Sequence, residues 1–342
     1  MQRPDMRAAL FDAYGGPEVL YEGTVPIPSV GPGEVLIKVH AVSVNGGELA
    51  GRAGRLRLIT GRRFPKRIGI DFTGEIAAIH PSVAPTVRAP GNRLTTETTA
   101  ADPGVRGPRV GDRVWGALPR GRFGSAAEYV AVRPRQIARS PASLSPAEAA
   151  SLLVGTTAIT ALRDKARLRP GERLLVRGAS GGVGSIAVQY GKALGAHVTG
   201  LAGPRNLDFV RSLGADEALD YTTTHPADLG SFDVILDTVG TDHPAYHRLL
   251  PRGGRMVAIA FDLANLCPSI GYIAASTRHG PRRIRFFSGN PNHPDFADLT
   301  RYAEAGLLRP VVDTIHPLSA IATAHQALEA GGVRGKHIIQ IT

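Results

Sequence analysis

The chain of 342 residues is long enough for two domains of ordinary size. Its composition, 43% hydrophobic and 20% charged, is globular, and a lone cysteine, Cys267, excludes both a disulfide scaffold and a cysteine-rich zinc site. The net charge of +11 raises the question of nucleic acid. However, the excess is scattered arginine with no interleaved aromatic residues, and a phosphorylated small ligand accounts for it as well. No nucleic-acid partner is expected. No apolar run approaches the roughly 18 residues that span a bilayer, and the N-terminus has no apolar core of signal-peptide type. The expectation is therefore a cytoplasmic protein without membrane contact.

In chain order, the first part reads as β-rich. VLIKVHAVSV (35–44), IGIDFTGEIAAIH (68–80), RVGDRVWGAL (109–118) and AAEYVAV (126–132) are short β-branched runs separated by Gly and Pro, as in a compact barrel or sandwich. Residues 85–108 are rich in Pro, Gly and Thr, have no period, and are expected to form a long exposed loop. From about residue 134 strands and helices alternate. A helix is predicted over 145–166, opened by Ser145-Pro146 with Glu148 in the first turn. Strands follow at 173–179, 196–202, 217–221, 232–240 and 254–261, with helices at 182–194 and 205–213 between the first three. This is the pattern of βαβ units and a parallel sheet, so the fold class is α/β. Helices are predicted at 295–308 and 318–331, and a closing strand at 336–341.

The most informative stretch is RLLVRGASGGVGSIAVQYGKAL (173–194). A hydrophobic strand runs into Ala179-Ser180-Gly181-Gly182-Val183-Gly184 and a helix follows at once. This is the dinucleotide fingerprint with Ala179 in place of its first glycine. Such a turn brings backbone close to a pyrophosphate, which the helix N-terminus receives with free N–H groups. The second strand ends in Ala202-Gly203 without the acid that usually meets a free ribose hydroxyl, and Arg205 follows, with Tyr221 further on. An arginine there pairs with a 2′-phosphate, which favours NADPH over NADH. Gly178-Ala179-Ser180-Gly181-Gly182 also satisfies the G-x-S-x-G elbow of α/β-hydrolases, with Ser180 as nucleophile and Asp237 and His325 as triad candidates. On that reading Gly184 has no role.

These motifs resemble the medium-chain dehydrogenase/reductase superfamily, in its zinc-free quinone-oxidoreductase branch. The likeness runs through YGGPEVL (14–20), GPGEVLIKV (31–39), SVNGGELAGRAG (43–54), GIDFTGEI (69–76), VGDRVWG (110–116), AAEYV (126–130), LGADEALDY (213–221), FDVILDTVG (232–240) and RGKHIIQI (334–341). The resemblance implies a doubly wound Rossmann NADPH-binding domain over 134–287. A GroES-like, β-rich substrate domain would be built from 1–133 with 288–342. It implies hydride transfer to a quinone or α,β-unsaturated carbonyl, a small-molecule substrate and a homodimer. It places Asn45 near the nicotinamide ribose and substrate, as the sole catalytic candidate and as an orienting group. Thr157, Val239, Ile259 and Phe287 would line the nicotinamide pocket. Gly181, Gly182 and Val183 would hold the pyrophosphate, Arg205 and Tyr221 the 2′-phosphate, and Lys336 would lie near the cofactor.

Where zinc-dependent relatives carry Cys and a His-Glu pair, this chain has SVNGGE and Ile70-Asp71, so no metal is expected. His243 and His247 are four apart, without a third partner, and are read as part of a surface helix. Many relatives carry a tyrosine where this chain has Ala50, which leaves the proton donor open. Glu48 and Arg52 are read as a structural ion pair, and Tyr129 as a packing residue. Two alternatives to the reductase stand: a cofactor-binding member with little redox activity, and a tailoring enzyme of secondary metabolism using the same pocket.

Overall fold

The computed structural model describes residues 4–83, 107–262 and 265–342. The loop expected over 85–108 lies outside these residues except for its last two. Two sheets organise the chain. The first to consider is six-stranded and wholly parallel. Its order is Glu217–Asp220, His197–Ala202, Arg173–Arg177, Val234–Asp237, Arg255–Ala258, Ile284–Phe286. The strands are continuous apolar runs because both faces are covered. Leu174 and Val176 face one core with Val198, Val234, Leu236 and Val257, while Leu175 faces the other with Leu201, Ile235 and Met256. The helix Gly182–Ala193 covers the first face through Ile186, Ala187 and Tyr190. Chain order reverses at Arg173–Arg177, so a crevice opens at the carboxyl end of that strand, where open α/β sheets take their ligands.

The second sheet has seven strands. Val312–Pro317, Lys336–Gln340, Val35–Ser43, Asp71–Ile79, Arg113–Ala117 and Ile137–Arg139 lie in that order, and Tyr129–Val132 also pairs with Val35–Ser43. A smaller sheet sets Asp5–Phe11 between Leu20–Pro26 and Lys66–Arg67. The end of the chain thus returns to the first domain: Ile338 pairs with Ser43 and Gln340 with Ala41. This is the β-rich GroES-like unit beside a Rossmann domain. The expected crossing at 133/134 falls three residues before Ile137–Arg139, which still pairs in the β-rich sheet.

The helix expected over 145–166 is three pieces: Pro146–Leu152, Gly155–Ile159 and a π-helical Thr160–Ala166. Its start is as read. The Ser145 hydroxyl accepts from Glu148 N (3.3 Å), and the Glu148 carboxylate accepts from Ser145 N (2.9 Å), forming a capping box. The break at Leu153 and Val154 brings Gly155 against Leu299, where a Cβ would come within 2.6 Å of Leu299 Cδ1. Among the described residues no helix is long and apolar enough to cross a membrane.

Candidate active site

The turn after Arg173–Arg177 has the geometry its glycines foretell. Gly178 takes φ +72°, and a Cβ on Gly184 would lie 2.1 Å from Gly178 O, so the helix starts in backbone contact with the turn. Ser180 is not a free nucleophile. Its hydroxyl accepts from Asn206 Nδ2 (3.1 Å), while Asp237 is buried in the Rossmann sheet and His325 is buried beside Arg52 in the other domain. The three are not assembled as a triad, and the hydrolase reading falls.

The return strand closes over this turn. Gly335 N donates to Ser180 O (2.8 Å), and the Lys336 stem crosses Gly182, whose Cβ would meet Lys336 Cδ at 2.5 Å. The Lys336 ammonium then donates to Val44 O and to Asn45 Oδ1 (2.7 Å). Asn45 Nδ2 lies 3.0 Å from Ser43 O, 3.0 Å from Glu48 Oε1 and 2.9 Å from Asp71 Oδ2. Asp71 in turn accepts from Ser43 N (2.8 Å) and Ser43 Oγ (2.6 Å). Glu48, Asp71 and Lys336 are all buried, at 1%, 6% and 6% exposure. Two carboxyl groups and one ammonium therefore meet at the Asn45 amide away from water. Burial, then the Asp71 charge, pushes Glu48 up to about 8. Burial also raises Asp71 and lowers Lys336. The amide of Asn45 is held on both sides by this cluster.

At the other end of the turn, Tyr221 leans over Gly203, whose Cβ would lie 3.5 Å from Tyr221 Cε1. Tyr221 is exposed, as is Arg205. Arg334 Nη2 donates to Arg205 O (2.6 Å) and its Nε to Asn206 Oδ1 (2.8 Å). Val239 overhangs the start of the turn, 3.3 Å from where a Gly178 Cβ would be. Its own turn is pinned by Asp237, which accepts from Val239 N (3.0 Å) and Gly240 N (3.2 Å). Ile259 and Phe287 border the Rossmann core, and Thr157 and Phe287 line one cleft of about 470 Å³ with Arg120. Arg120 holds the segment after Phe287 through Ser288 O (2.8 Å) and Asn290 Oδ1 (2.9 Å).

Two local readings are corrected. Glu48 and Arg52 are not paired: Arg52 bonds Glu329 and Gly15 O, since its side chain turns to the last long helix. The helix His243–His247 is not a surface helix. His243 is buried 3.0 Å from Asp237 Oδ2, and His247 bonds Tyr272 Oη (3.0 Å) and Arg282 O (2.6 Å). The segment Leu266–Ala275, absent from the sequence reading, is the helix that covers it. Sequence reasoning also missed Ser43, Asn206, Arg120 and Arg334 as site residues, and noted Asp71 only as a replaced ligand. Arg334 had a signal, two positions before Lys336 in the closing motif.

Residues 31–142 match the alcohol dehydrogenase GroES-like domain, and residues 213–339 match a family described as zinc-binding dehydrogenase. The chain is 30% identical to NAD(P)H oxidoreductase RTN4IP1, mitochondrial, of Bos taurus, over 98% of this chain and 89% of that protein. The chain belongs to the medium-chain dehydrogenase/reductase family, in its quinone-oxidoreductase branch. Among this family's members it is 31% identical to 2-methylene-furan-3-one reductase of Solanum lycopersicum, over 98% of this chain and 79% of that one. The solved quinone oxidoreductase of Coxiella burnetii superimposes with a TM-score of 0.85 at 28% identity, covering 99% and 100% of the two chains. This oxidoreductase family brings with it a nicotinamide cofactor, and the turn at 178–184 fits one. The zinc in the second family's description does not fit these residues. Asp71 is engaged by Ser43 and Asn45, its neighbour Ile70 is no ligand, and no three His, Cys, Asp or Glu converge among the described residues.

Proposed function

We propose that this medium-chain dehydrogenase/reductase is an NADPH-dependent, zinc-independent reductase of quinones or α,β-unsaturated carbonyl compounds. The observation that carries the reading is the end of the second Rossmann strand. Ala202 and Gly203 offer no carboxylate to a ribose hydroxyl, and the exposed Arg205 stands there with Tyr221. A guanidinium at that point favours a 2′-phosphate, which an acid would repel. Gly181, Gly182 and Val183 would receive the pyrophosphate at the start of the helix Gly182–Ala193. The bound cofactor supplies the hydride.

The protein's own residues orient and shield. Val239, Ile259, Phe287 and Thr157 would form the walls on the nicotinamide side. Asn45 acts by its fixed position, because its amide is tied to Lys336, Asp71 and Glu48. Ala50 offers no acidic hydrogen, so the proton for the reduced carbon skeleton would come from water or from another side chain. The names of the tomato and Coxiella relatives support an enone or quinone acceptor. By the same resemblance the protein would act on a small molecule as a homodimer.

A fluorescence titration with NADPH and NADH, followed by an acceptor screen of quinones and enones, tests the proposal. Expected are tight NADPH binding, much weaker NADH binding, and NADPH oxidation with at least one acceptor class. Equal affinity for both cofactors overturns the role of Arg205. Tight NADPH binding without turnover on any acceptor selects the second reading, a cofactor-binding member with little redox activity, which the bare methyl of Ala50 favours.

A further inference from the structure

The end of the Rossmann sheet away from the glycine turn carries a concentration of positive charge. A cavity of about 500 Å³ is lined by Lys165, Arg167, Arg169, Arg255, Arg283 and Arg285, with Asp164 as the one acid on its wall. Arg255 opens the strand Arg255–Ala258, and Arg285 lies in the short strand Ile284–Phe286 beside it. The cavity therefore sits at the amino ends of the parallel strands, whereas the glycine turn leaves their carboxyl ends.

Its nearby acids are already engaged. Asp164 accepts from Arg163 Nε (2.7 Å) and Nη2 (3.1 Å). Glu172 holds Arg255 in a fork, at 2.8 and 2.6 Å. Arg167, Arg283 and Arg285 form no ion pair with a described residue. Nη1 of Arg285 is buried and makes no hydrogen bond. Burial, then the like charges of Arg283, Arg255 and Arg167, holds the Arg285 guanidinium below its ordinary value. Arg167 carries a backbone irregularity too. It takes a left-handed φ of 53° at the end of Thr160–Ala166, a conformation that glycine adopts with less strain. Its carbonyl accepts from Arg255 Nη2 (3.0 Å), which fixes that backbone at the cavity wall. Converging guanidinium groups repel one another, and a buried donor without an acceptor is unfavourable. An oxyanion removes both penalties, because planar forks match its several acceptor oxygens.

We propose that this cavity is a binding site for a small phosphorylated anion, distinct from the glycine turn, with Arg285 and Arg167 as its central ligands; it shares Asp164 and Lys165 with the cleft that Thr157 and Phe287 line. The test uses the full-length protein and inorganic pyrophosphate as the probe. Binding is measured by calorimetry and by the shift in melting temperature, with and without NADPH, against KCl at matched ionic strength. Expected is saturable pyrophosphate binding that persists when NADPH is present. Arg285→Gln weakens it by about tenfold or more, the loss of one charge-assisted fork. Arg167→Gly weakens it as well, yet raises the melting temperature of the anion-free protein, because it relieves both repulsion and backbone strain. The proposal is overturned if pyrophosphate does not bind, if KCl reproduces the shift, or if both variants bind pyrophosphate as the parent does.

Discussion

Glu48→Gln isolates the buried proton beside Asn45. In an unfolded chain a glutamate titrates near 4.3, whereas in the folded protein burial and Asp71 lift Glu48 to about 8. Between those values the native state holds a proton that the unfolded state lacks. The stabilisation is therefore complete below the unfolded value and is lost as pH rises through the folded one, by about 1.4 kcal/mol per pH unit. From pH 6 to pH 8 the parent loses about 2–3 kcal/mol from this group alone. Glutamine cannot titrate, and its carbonyl can still accept from Asn45 Nδ2 as Glu48 Oε1 does at 3.0 Å. Urea unfolding of both proteins at pH 6, 7, 8 and 9 gives the comparison, because titrations that do not interact with Glu48 cancel in the difference. The variant should gain about 2–3 kcal/mol on the parent between pH 6 and 8, and the difference should level off above about pH 9. Parallel stability curves for the two proteins would refute the assignment of the proton to Glu48. A pH dependence that survives in Glu48→Gln and vanishes in Asp71→Asn would move the proton to Asp71.

Three further outcomes follow from the site. Arg205→Ala should weaken NADPH binding by about 10- to 100-fold and leave NADH binding unchanged, read by fluorescence titration; an equal loss for both would remove the 2′-phosphate role. Lys336→Met strands Asp71 without its nearby cation, and should lower unfolding stability by about 3–5 kcal/mol at neutral pH, with weaker NADPH binding. Unchanged urea midpoints would contradict the burial of that charge. Gly184→Ala places a methyl 2.1 Å from Gly178 O. It should destabilise the protein by about 1–3 kcal/mol and weaken NADPH binding, and a variant that melts and binds like the parent would deny the close approach of helix and turn.

Local pattern carried the cofactor domain into view. The apolar runs at 173–177, 197–202 and 234–237 are buried on both faces of a parallel sheet, so their hydrophobicity is uninterrupted and easy to read. The glycine turn was equally legible, because few other residues tolerate Gly178's conformation or Gly184's contact. Less legible were features that depend on distant partners. Nothing near Glu48 in sequence says that it will face His325 rather than Arg52. The histidines of His243–His247 look solvent-bound until Leu266–Ala275 covers them. The long helix expected from 145 shows the same limit. Its cap was written in Ser145 and Glu148, but the contact of Gly155 with Leu299 depends on a partner far along the chain.

The arrangement of residues 334–336 explains why an ionic cluster is buried at the seam of the two domains. Arg334 fixes Arg205 O and Asn206, Gly335 bonds the Ser180 carbonyl, and Lys336 crosses Gly182 to reach Asn45. Three consecutive residues at the start of a strand of the β-rich sheet thus touch the expected 2′-phosphate end, the glycine turn and Asn45. A cofactor lying along that path would press on both domains at once. Apolar side chains of similar volume would fill the space around Lys336, Glu48 and Asp71 with no loss of stability, since desolvating the charges offsets their attraction. They would not donate a hydrogen bond to Asn45 Oδ1 from the return strand, nor accept one from its Nδ2 at the helix and strand beside it. Position is therefore what the cluster contributes: it sets the amide of Asn45 in one orientation and ties that orientation to the same strand that closes the cofactor turn.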